Sequence, residues 1–317
     1  MTTNINKLDA ASTVYDSIFS EVFQGSSAVS NNYKKYCFET AKQGTAYELD
    51  LIQGFSLPSE WTGSRIVKSL RAAKKTIRTK DYQVAHNVSK LELKQQPDIV
   101  GVAIRNFVAR NTNFINSLVV SKLVAGATEI QADIDNLPFF SASHPMDDGT
   151  TQSNYTTSAL SQSTYRAAKA AMTAYKDRGG MPLGVQPRLL IVGPALADVA
   201  RDIVEAKTRT QGISSAGVLD SGSVAAAAAI ENVVSADGVE ILVEPGLVGT
   251  YANYWFLVGE VAGAKPMVVN IAEAPHPTDN TNDFLANLPE YIFSIEAQLG
   301  LDFSGIWQCM HGAFVSA

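Results

Sequence analysis

Histidine and cysteine are the side chains that would carry nucleophilic or metal chemistry in this 317-residue chain, which has four histidines and two cysteines. The histidines, widely dispersed, are His86, His144, His276 and His311. The sequence contains no G-x-S-x-G, H-E-x-x-H, G-x-x-x-x-G-K-S/T or G-x-G-x-x-G motif. We therefore predict no catalytic site. Triads are set by geometry rather than by sequence order, so an α/β enzyme with an unrecognised site stays an alternative.

Metal and cofactor sites are not expected either. Cys37 and Cys309 cannot build a disulfide framework or a cysteine-rich zinc site, and we interpret them as small buried apolar residues. His144 and His276 each precede a proline, which favours turn residues over metal ligands. The Asp147-Asp148-Gly149 triplet lacks the twelve-residue spacing and the terminal glutamate of a calcium loop, and it predicts a solvated turn.

A basic segment at residues 62–95 is the clearest charged feature. It holds nine Lys and Arg against only Asp81 and Glu92, a net charge of +7 in a chain of net charge -6. Alternating polar and apolar residues on both sides of Thr79-Lys80-Asp81 predict a two-stranded hairpin with its turn at that triplet. Such a hairpin is not stable in water by itself and needs a surface to lie on.

The hairpin could bind nucleic acid or dock on protein. Its charge favours nucleic acid, but it has almost no aromatic residues on which bases would stack, and the acidic chain as a whole argues against general nucleic-acid binding. We favour a docking arm. Charged residues make up only 18% of the chain, which is typical of a protein that hides surface in an assembly.

The other elements follow from periodicity. Residues 1–60 have poor hydrophobic continuity and predict an extended arm with one helix between Leu8 and Gly25. Helical spacing from Pro97 to Val124 predicts one long helix that Gly126 ends. The remaining predictions are helices at 163–177, 194–204 and 224–230, strands at 189–192, 239–243, 254–258, 267–271, 291–299 and 306–314, and loops at 208–223 and 275–289.

Two later segments are acidic and contain no Lys or Arg. Residues 129–158 carry five acidic side chains, and residues 266–317 carry six, including Asp302. They are the natural counterpart in charge to the basic segment.

Three short sequence motifs resemble those of a known protein family. They are Glu60-Trp61-Thr62-Gly63-Ser64-Arg65, the run from Leu137 to Pro145 followed by Ser153-Asn154, and the run from Asp177 to Val192. In their order, over about residues 57–205, they resemble the major capsid protein of tailed bacteriophages, with the Hong Kong 97-type fold, and most closely the Mu-like prophage major head subunit family.

The resemblance implies an α+β fold with five parts. These are an N-arm at 1–60, an E-loop hairpin at 61–95, the spine helix and first part of the P-domain at 96–158, an A-domain at 159–265, and return strands of both domains at 266–317. It implies a structural protein, not an enzyme, with no cofactor. An encapsulin-type nanocompartment shell protein is the alternative of the same fold.

The resemblance also implies partners and a location. Copies of the chain would assemble in the bacterial host cytoplasm into hexamers and pentamers of an icosahedral shell, the virion capsid, around packaged double-stranded DNA. Scaffolding, portal and decoration proteins are candidate partners. No membrane contact is expected, because no run of eighteen apolar residues occurs.

The distribution of charge along the sequence leads to a hypothesis about the subunit interface. We expect the basic hairpin to dock on an acidic surface of a neighbouring subunit, with these lysines facing water or DNA as the alternative. Reversing Lys74, Lys75 and Arg78 to Glu should then block assembly without unfolding the subunit. The candidate interface residues are Arg65, Lys68, Arg71, Lys74, Lys75, Arg78 and Lys80.

Overall fold

A computed structural model describes residues 15–21, 31–52, 72–132, 134–212, 227–279 and 290–316. The α-helices of six or more residues in those ranges are α1 (Lys90–Gln95), α2 (Pro97–Asn111), α3 (Phe114–Ala125), α4 (Gln162–Thr173) and α5 (Ala197–Val204). No helix in the described part of the chain combines the length and apolar character needed to cross a membrane.

The larger sheet has five strands in the order β1, β12, β13, β3, β2. Its long members form a ribbon of antiparallel strands, because β12 and β3 both pair antiparallel with β13. The bounds are β1 (Cys37–Thr40), β2 (Ala46–Ile52), β3 (Ala72–Ser89), β12 (Met267–Asp279) and β13 (Glu290–Phe303).

A second five-stranded sheet has the order β10, β7, β11, β14, β6 and contains the main core. Its strands are β6 (Tyr155–Thr156), β7 (Pro187–Val192), β10 (Glu240–Val243), β11 (Trp255–Gly259) and β14 (Met310–Ala313). Two short pairs complete the strands of the described residues: β4 (His144–Pro145) with β5 (Thr151–Gln152), and β8 (Thr208–Gly212) with β9 (Ala227–Glu231).

The predicted strand at 189–192 is confirmed as central. It lies within β7, between β10 and β11, and its residues Leu190, Ile191 and Val192 are fully buried. Met172 of α4 and Ile203 of α5 belong to the same core cluster. The all-apolar sequence of this strand follows from burial on both faces.

The predicted hairpin turn at Thr79-Lys80-Asp81 is wrong. These residues continue β3, where they pair with Gly300, Leu299 and Gln298 of β13. The triplet has no glycine and no asparagine to favour a tight turn, so a partner strand keeps it extended. The antiparallel pair that does exist joins β2 to residues 72–78 of β3. The second predicted strand does not run to its predicted end, because helix α1 begins after Ser89, where Ser89 and Glu92 form a capping box.

The prediction of a single long helix from Pro97 to Val124 is also wrong, because the segment forms two helices, α2 and α3. Between α2 and α3, the Asn111 side chain donates to the carbonyl of Phe107 and the Thr112 hydroxyl donates to the carbonyl of Ala109. Asn and Thr side chains that bond nearby backbone compete with the helical pattern. The break follows at Thr112 and Asn113.

Several smaller predictions change. Residues 224–230 are predicted as a helix, but Ala227–Glu231 form strand β9. The predicted loop at 208–223 begins with strand β8. The predicted loop at 275–289 begins with the last residues of strand β12. The two final predicted strands do not pair, because β13 and β14 lie in different sheets. The other parts of these segments, residues 213–226 and 280–289, lie outside the described residues.

The described part of the predicted N-terminal arm packs on its own chain. Tyr36 and Cys37 are buried in the main core. Residues 15–19 are helical, and Tyr15 and Phe19 join a second cluster with Ile104 of α2 and other residues of α2 and β13. These residues therefore contact the core of their own chain, while the N-arm over residues 1–60 stays a prediction, and residues 1–14, 22–30 and 53–60 lie outside the described part.

We expect Ile191→Ala to destabilise the subunit by about 2–5 kcal/mol, because it leaves a cavity between β10 and β11. Val199→Ala is the matched control, since Val199 is 39% exposed. Its effect should stay within about 0.5 kcal/mol. Urea unfolding measures both, and equal unfolding midpoints for the two variants would contradict the central position of β7.

Candidate functional site

The basic residues that sequence predicts as interface side chains fall into two groups. Arg65, Lys68 and Arg71 lie outside the described residues. The other four are carried by strand β3, and they are Lys74, Lys75, Arg78 and Lys80.

Lys75 is buried inside its own subunit. Only 4% of the residue is exposed. Its Nζ donates to Oε1 of Gln131 at 2.6 Å and lies 3.0 Å from Oδ2 of Asp302. Gln131 is itself 3% exposed, so the ammonium is enclosed by protein.

A second lysine completes this network. Lys122 of α3 lies 3.1 Å from the other carboxylate oxygen of Asp302 and 2.6 Å from Oε1 of Glu129. Burial acts to lower the pKa of Lys122, but its hydrogen bonds and Coulombic attraction to Glu129 and Asp302 outweigh burial and raise the pKa. Lys122 is therefore held as a cation. We call Lys75, Lys122, Glu129, Gln131 and Asp302 the Asp302 network.

The Asp302 network corrects the docking hypothesis at Lys75. Lys75 of the basic segment does meet an acidic side chain, Asp302, but it meets it within one chain, while Glu129 pairs with Lys122 outside that segment. Removing one partner of a buried ion pair is strongly destabilising. A charge reversal that includes Lys75 would unfold the subunit, so it does not report on assembly.

Lys74 also has partners in its own chain, but at the surface. Its Nζ lies 3.0 Å from Oε2 of Glu48 on β2. The hydrogen bond to Glu48, with the charges of Glu48 and Asp50, raises the pKa of Lys74. Arg78 and Lys80 are exposed on the same strand, so they are the described basic residues that stay candidates for a contact with another molecule.

Sequence reasoning missed Lys122 and the role of Asp302. A signal was present for both. Lys122 is the only charge in the apolar helix α3, and Asp302 stands between Leu301 and Phe303 in a strand with many apolar residues. A single charge in an apolar element indicates a buried partner.

His144 is not the turn residue that its sequence predicts. It is 1% exposed and lies in the short strand β4. Its Nδ1 is 2.7 Å from Oδ2 of Asp135, and its ring stacks on Trp307 with centroids 4.3 Å apart. Asn154 closes this cluster by donating to the carbonyl of Phe139 at 2.9 Å. The cluster joins the loop after α3 to the second sheet, so the role of His144 is structural.

Two further sequence predictions can be checked here. His276 lies within β12 opposite Glu296, so it is not a turn residue. Asp147-Asp148-Gly149 is an exposed turn, as predicted, in which the carboxylate of Asp148 accepts from the backbone and hydroxyl of Thr150.

Nucleophiles in the described residues are poorly activated. Burial raises the pKa of the Cys37 thiol and raises that of Cys309 to about 12, which disfavours a reactive thiolate at either site. Burial lowers the pKa of His311 to about 4, so its imidazole is neutral near pH 7. The described residues contain no group of three or more His, Cys, Asp or Glu side chains placed to hold a metal ion.

Glu244 is a buried acid at a junction of three elements. It is 1% exposed. Its carboxylate accepts from Nδ2 of Asn116 in α3 at 2.6 Å and from Nδ2 of Asn32 at 3.5 Å. Burial raises the pKa of Glu244, and hydrogen bonds from Asn116, Asn32 and the Gly246 backbone oppose that rise without cancelling it.

Comparisons with known proteins agree with this architecture. A family model described as "Phage capsid protein" matches residues 72–288, more than half of the chain. No curated protein matches.

Among solved structures, one of Mycobacterium phage Patience matches with a TM-score of 0.54 and 12% identity, over 96% of this chain and 88% of that chain. The capsid of a native GTA particle matches with a TM-score of 0.52 and 10% identity, over 90% and 89% of the two chains. The procapsid of bacteriophage JBD30 matches with a TM-score of 0.50 and 14% identity, over 97% of this chain and 75% of that chain. At these identities the likeness is one of fold, and it is the Hong Kong 97-type fold that the sequence predicts.

We expect Lys75→Met to destabilise the subunit by about 3 kcal/mol, because it removes the buried member of the ion pair and leaves the largely buried carboxylate of Asp302 with one lysine instead of two. Lys80→Met on the same strand is the control, and it should change the unfolding free energy by about 0.5 kcal/mol or less. Chemical denaturation measures both values. A Lys75→Met protein as stable as the control would show that the Asp302 network has no role in folding.

We expect Glu244→Gln to stabilise the protein at neutral and alkaline pH. A carboxyl whose pKa is raised by folding contributes stability at low pH and loses it as pH rises through the folded pKa. Glutamine keeps one acceptor oxygen, which can serve the 2.6 Å bond from Asn116, and removes the charge. The gain in Tm over the unsubstituted protein should therefore grow as pH rises from the ordinary pKa of a glutamate carboxyl through the raised pKa of Glu244.

The exposed Glu240 provides the control, since Glu240→Gln should show no such growth in Tm. A Glu244→Gln variant less stable than the unsubstituted protein at about pH 8 would mean that the ionised carboxylate is the favoured form.

Proposed function

The chain belongs to the phage capsid protein family, and from this premise we propose that it is the major head protein whose copies close into an icosahedral shell around packaged double-stranded DNA. The match over residues 72–288 is the observation that carries this proposal. The fold supports it, because the long ribbon of β12, β13 and β3 is the kind of extended sheet that neighbouring subunits complete. The Mu-like subfamily stays a prediction.

The division into parts is proposed in the same terms. The ribbon of β12, β13 and β3, with α2 and α3, corresponds to the P-domain and spine, and the second sheet corresponds to the A-domain. Of the E-loop predicted at 61–95, residues 72–95 are described, and Ala72–Ser89 of these form β3 of the larger sheet, so the bounds of the E-loop stay a prediction. Hexamers and pentamers, scaffolding, portal and decoration proteins, and assembly in the host cytoplasm stay part of this proposal.

The competing functions differ in what the purified chain forms. Electron microscopy of the full chain should show closed shells of phage-head size. Smaller shells that contain cargo protein would favour an encapsulin-type compartment. A monomer or dimer at all concentrations would favour an α/β enzyme and would contradict the proposal.

The proposed basic contact now rests on Arg78 and Lys80, with Arg65, Lys68 and Arg71 as further candidates. Each exposed ion pair is worth only about 0–1 kcal/mol, but the contact would be repeated at every subunit. Electrostatic complementarity acts mainly on association rate and register.

We expect the double reversal Arg78→Glu with Lys80→Glu to slow shell assembly while the subunit stays folded, as light scattering and circular dichroism would show. Raising salt from 0.1 M to 1 M should slow assembly of the unsubstituted chain, because the Debye length falls from about 10 Å to about 3 Å. The control Arg78→Lys with Lys80→Arg keeps both charges and should assemble normally. Assembly of the reversed protein at the normal rate in all salts would refute the contact.

A further inference from the structure

Residues 31–36 form a short segment that joins the larger sheet to the core of the second sheet. Asn31–Lys35 are a 3₁₀-helix. Tyr33 and Tyr36 are buried in the main core. Strand β1 follows at once and pairs with β12 through Cys37–Thr40. We call residues 31–36 the latch, because the larger sheet fixes them at one end while their aromatic side chains rest in the main core.

The cations on and beside the latch have partners other than the buried acid Glu244. Lys35 pairs with Glu240 of β10 at the surface, where the two side chains are 42% and 57% exposed. Lys34 pairs with Glu39 at 3.2 Å. The ammonium of Lys265 donates to the backbone carbonyl of Lys34. These lysines therefore hold the latch from its outer side and do not neutralise Glu244.

Glu244 is buried against the latch and is surrounded by neutral groups. Its backbone N–H donates to the carbonyl of Val192 in β7, which fixes it to the second sheet. Its carboxylate accepts from the amides of Asn116 at 2.6 Å and Asn32 at 3.5 Å, and from the backbone of Gly246. No Lys, Arg or His of the described residues pairs with it. An ionised Glu244 is therefore a buried charge without a counter-ion.

The other groups beside Glu244 also suit a neutral carboxyl. The titratable group that faces it is the phenol of Tyr36, whose pKa is raised by burial and then by the charges of Cys37 and Glu244. The Tyr36 hydroxyl and Oδ1 of Asn116 are buried without a hydrogen-bond partner. Both can accept a hydrogen bond, but an ionised carboxylate has no donor to offer. A protonated carboxyl brings one O–H donor into this cluster and removes the charge.

We propose that Glu244 is a pH-sensitive catch for the latch: the neutral carboxyl keeps residues 31–36 closed over it, and the ionised carboxylate favours an open latch that lets water reach the charge. The latch is the part that moves, because its bond to Glu244 is 3.5 Å long against 2.6 Å for the bond from Asn116 in α3. The pivot lies at Cys37, where β1 begins to pair with β12. This inference goes beyond the proposed function and does not depend on it, since every group belongs to one subunit.

The direction of the pH effect follows from linkage. Burial raises the pKa of Glu244 in the closed subunit, and an open latch would return the carboxyl toward its ordinary pKa. The open state is therefore favoured as pH rises from the ordinary pKa of a glutamate carboxyl to the raised one, and the effect levels off above the raised pKa. At lower pH both states hold the neutral carboxyl, and the latch stays closed.

Hydrogen exchange of the unassembled full-length chain tests this directly. The N–H of Tyr36 donates to the carbonyl of Tyr33 at 3.1 Å and reports on the latch. Its protection, corrected for the intrinsic effect of pH on exchange, should fall by up to roughly tenfold per pH unit over that interval. The N–H of Asn154, which donates to the carbonyl of Ser141, is the reference and should keep its protection. Equal pH dependence at Tyr36 and Asn154 would overturn the inference.

Two substitutions separate Glu244 from the other acid beside the latch. Glu244→Gln should remove the pH dependence of Tyr36 protection. The matched control Glu240→Gln breaks the surface pair with Lys35 and should keep that dependence. A pH-dependent latch that persists in the Glu244→Gln protein would also overturn the inference.

A further measurement needs no variant of Glu244. In the unsubstituted chain labelled with ¹³C at the glutamate carboxyls, one carboxyl should titrate above the others. Its midpoint should coincide with the pH at which the loss of Tyr36 protection levels off. A protection change that follows no carboxyl titration would contradict the assignment of the catch to a glutamate.

Discussion

Neutralisation of Asp302 by two lysines is the interaction on which the arrangement of this subunit depends. Lys75 comes from β3, Lys122 from α3, and Asp302 from the end of β13, so one carboxylate joins the two long strands to helix α3. The three side chains are 5%, 16% and 18% exposed, so Lys75 is shielded from water and the other two are largely shielded. At Lys75, a charge that the sequence suggests as part of a binding surface instead holds the fold.

At its other end, strand β3 is held by pairing with β13 and by packing against helix α2. The strand runs on from Lys75 for fourteen further residues to Ser89, of which Thr79 to Ser89 pair with β13 on one side. Helix α2 covers one face there through Val100, Ile104 and Val108, in a cluster with Phe293 and Ile295. Among the described residues, no strand pairs with β3 beyond the end of β2 on that side.

The sequence predicted elements whose pattern is local and failed where the partner is distant. The apolar run of β7 demanded burial on both faces, so its central place could be predicted. The helical spacing of α2 and α3 continued through Thr112 and Asn113, so the apolar pattern concealed the break. The extension of β3 through Thr79-Lys80-Asp81 depends on β13, more than two hundred residues later. Likewise, the burial of Lys75 and the stacking of His144 on Trp307 arise only from tertiary contacts.

A double-mutant cycle on Lys75 and Asp302 tests this account most directly. The unfolding free energies of Lys75→Met, Asp302→Asn and the double variant, compared with that of the unsubstituted protein, isolate the interaction between the two side chains. Residues of one buried network show coupling of about 0.5–3 kcal/mol, and we predict a favourable coupling of about 1 kcal/mol or more. Additive effects of the two substitutions would show that β3 is held in place by packing alone, and would contradict the account.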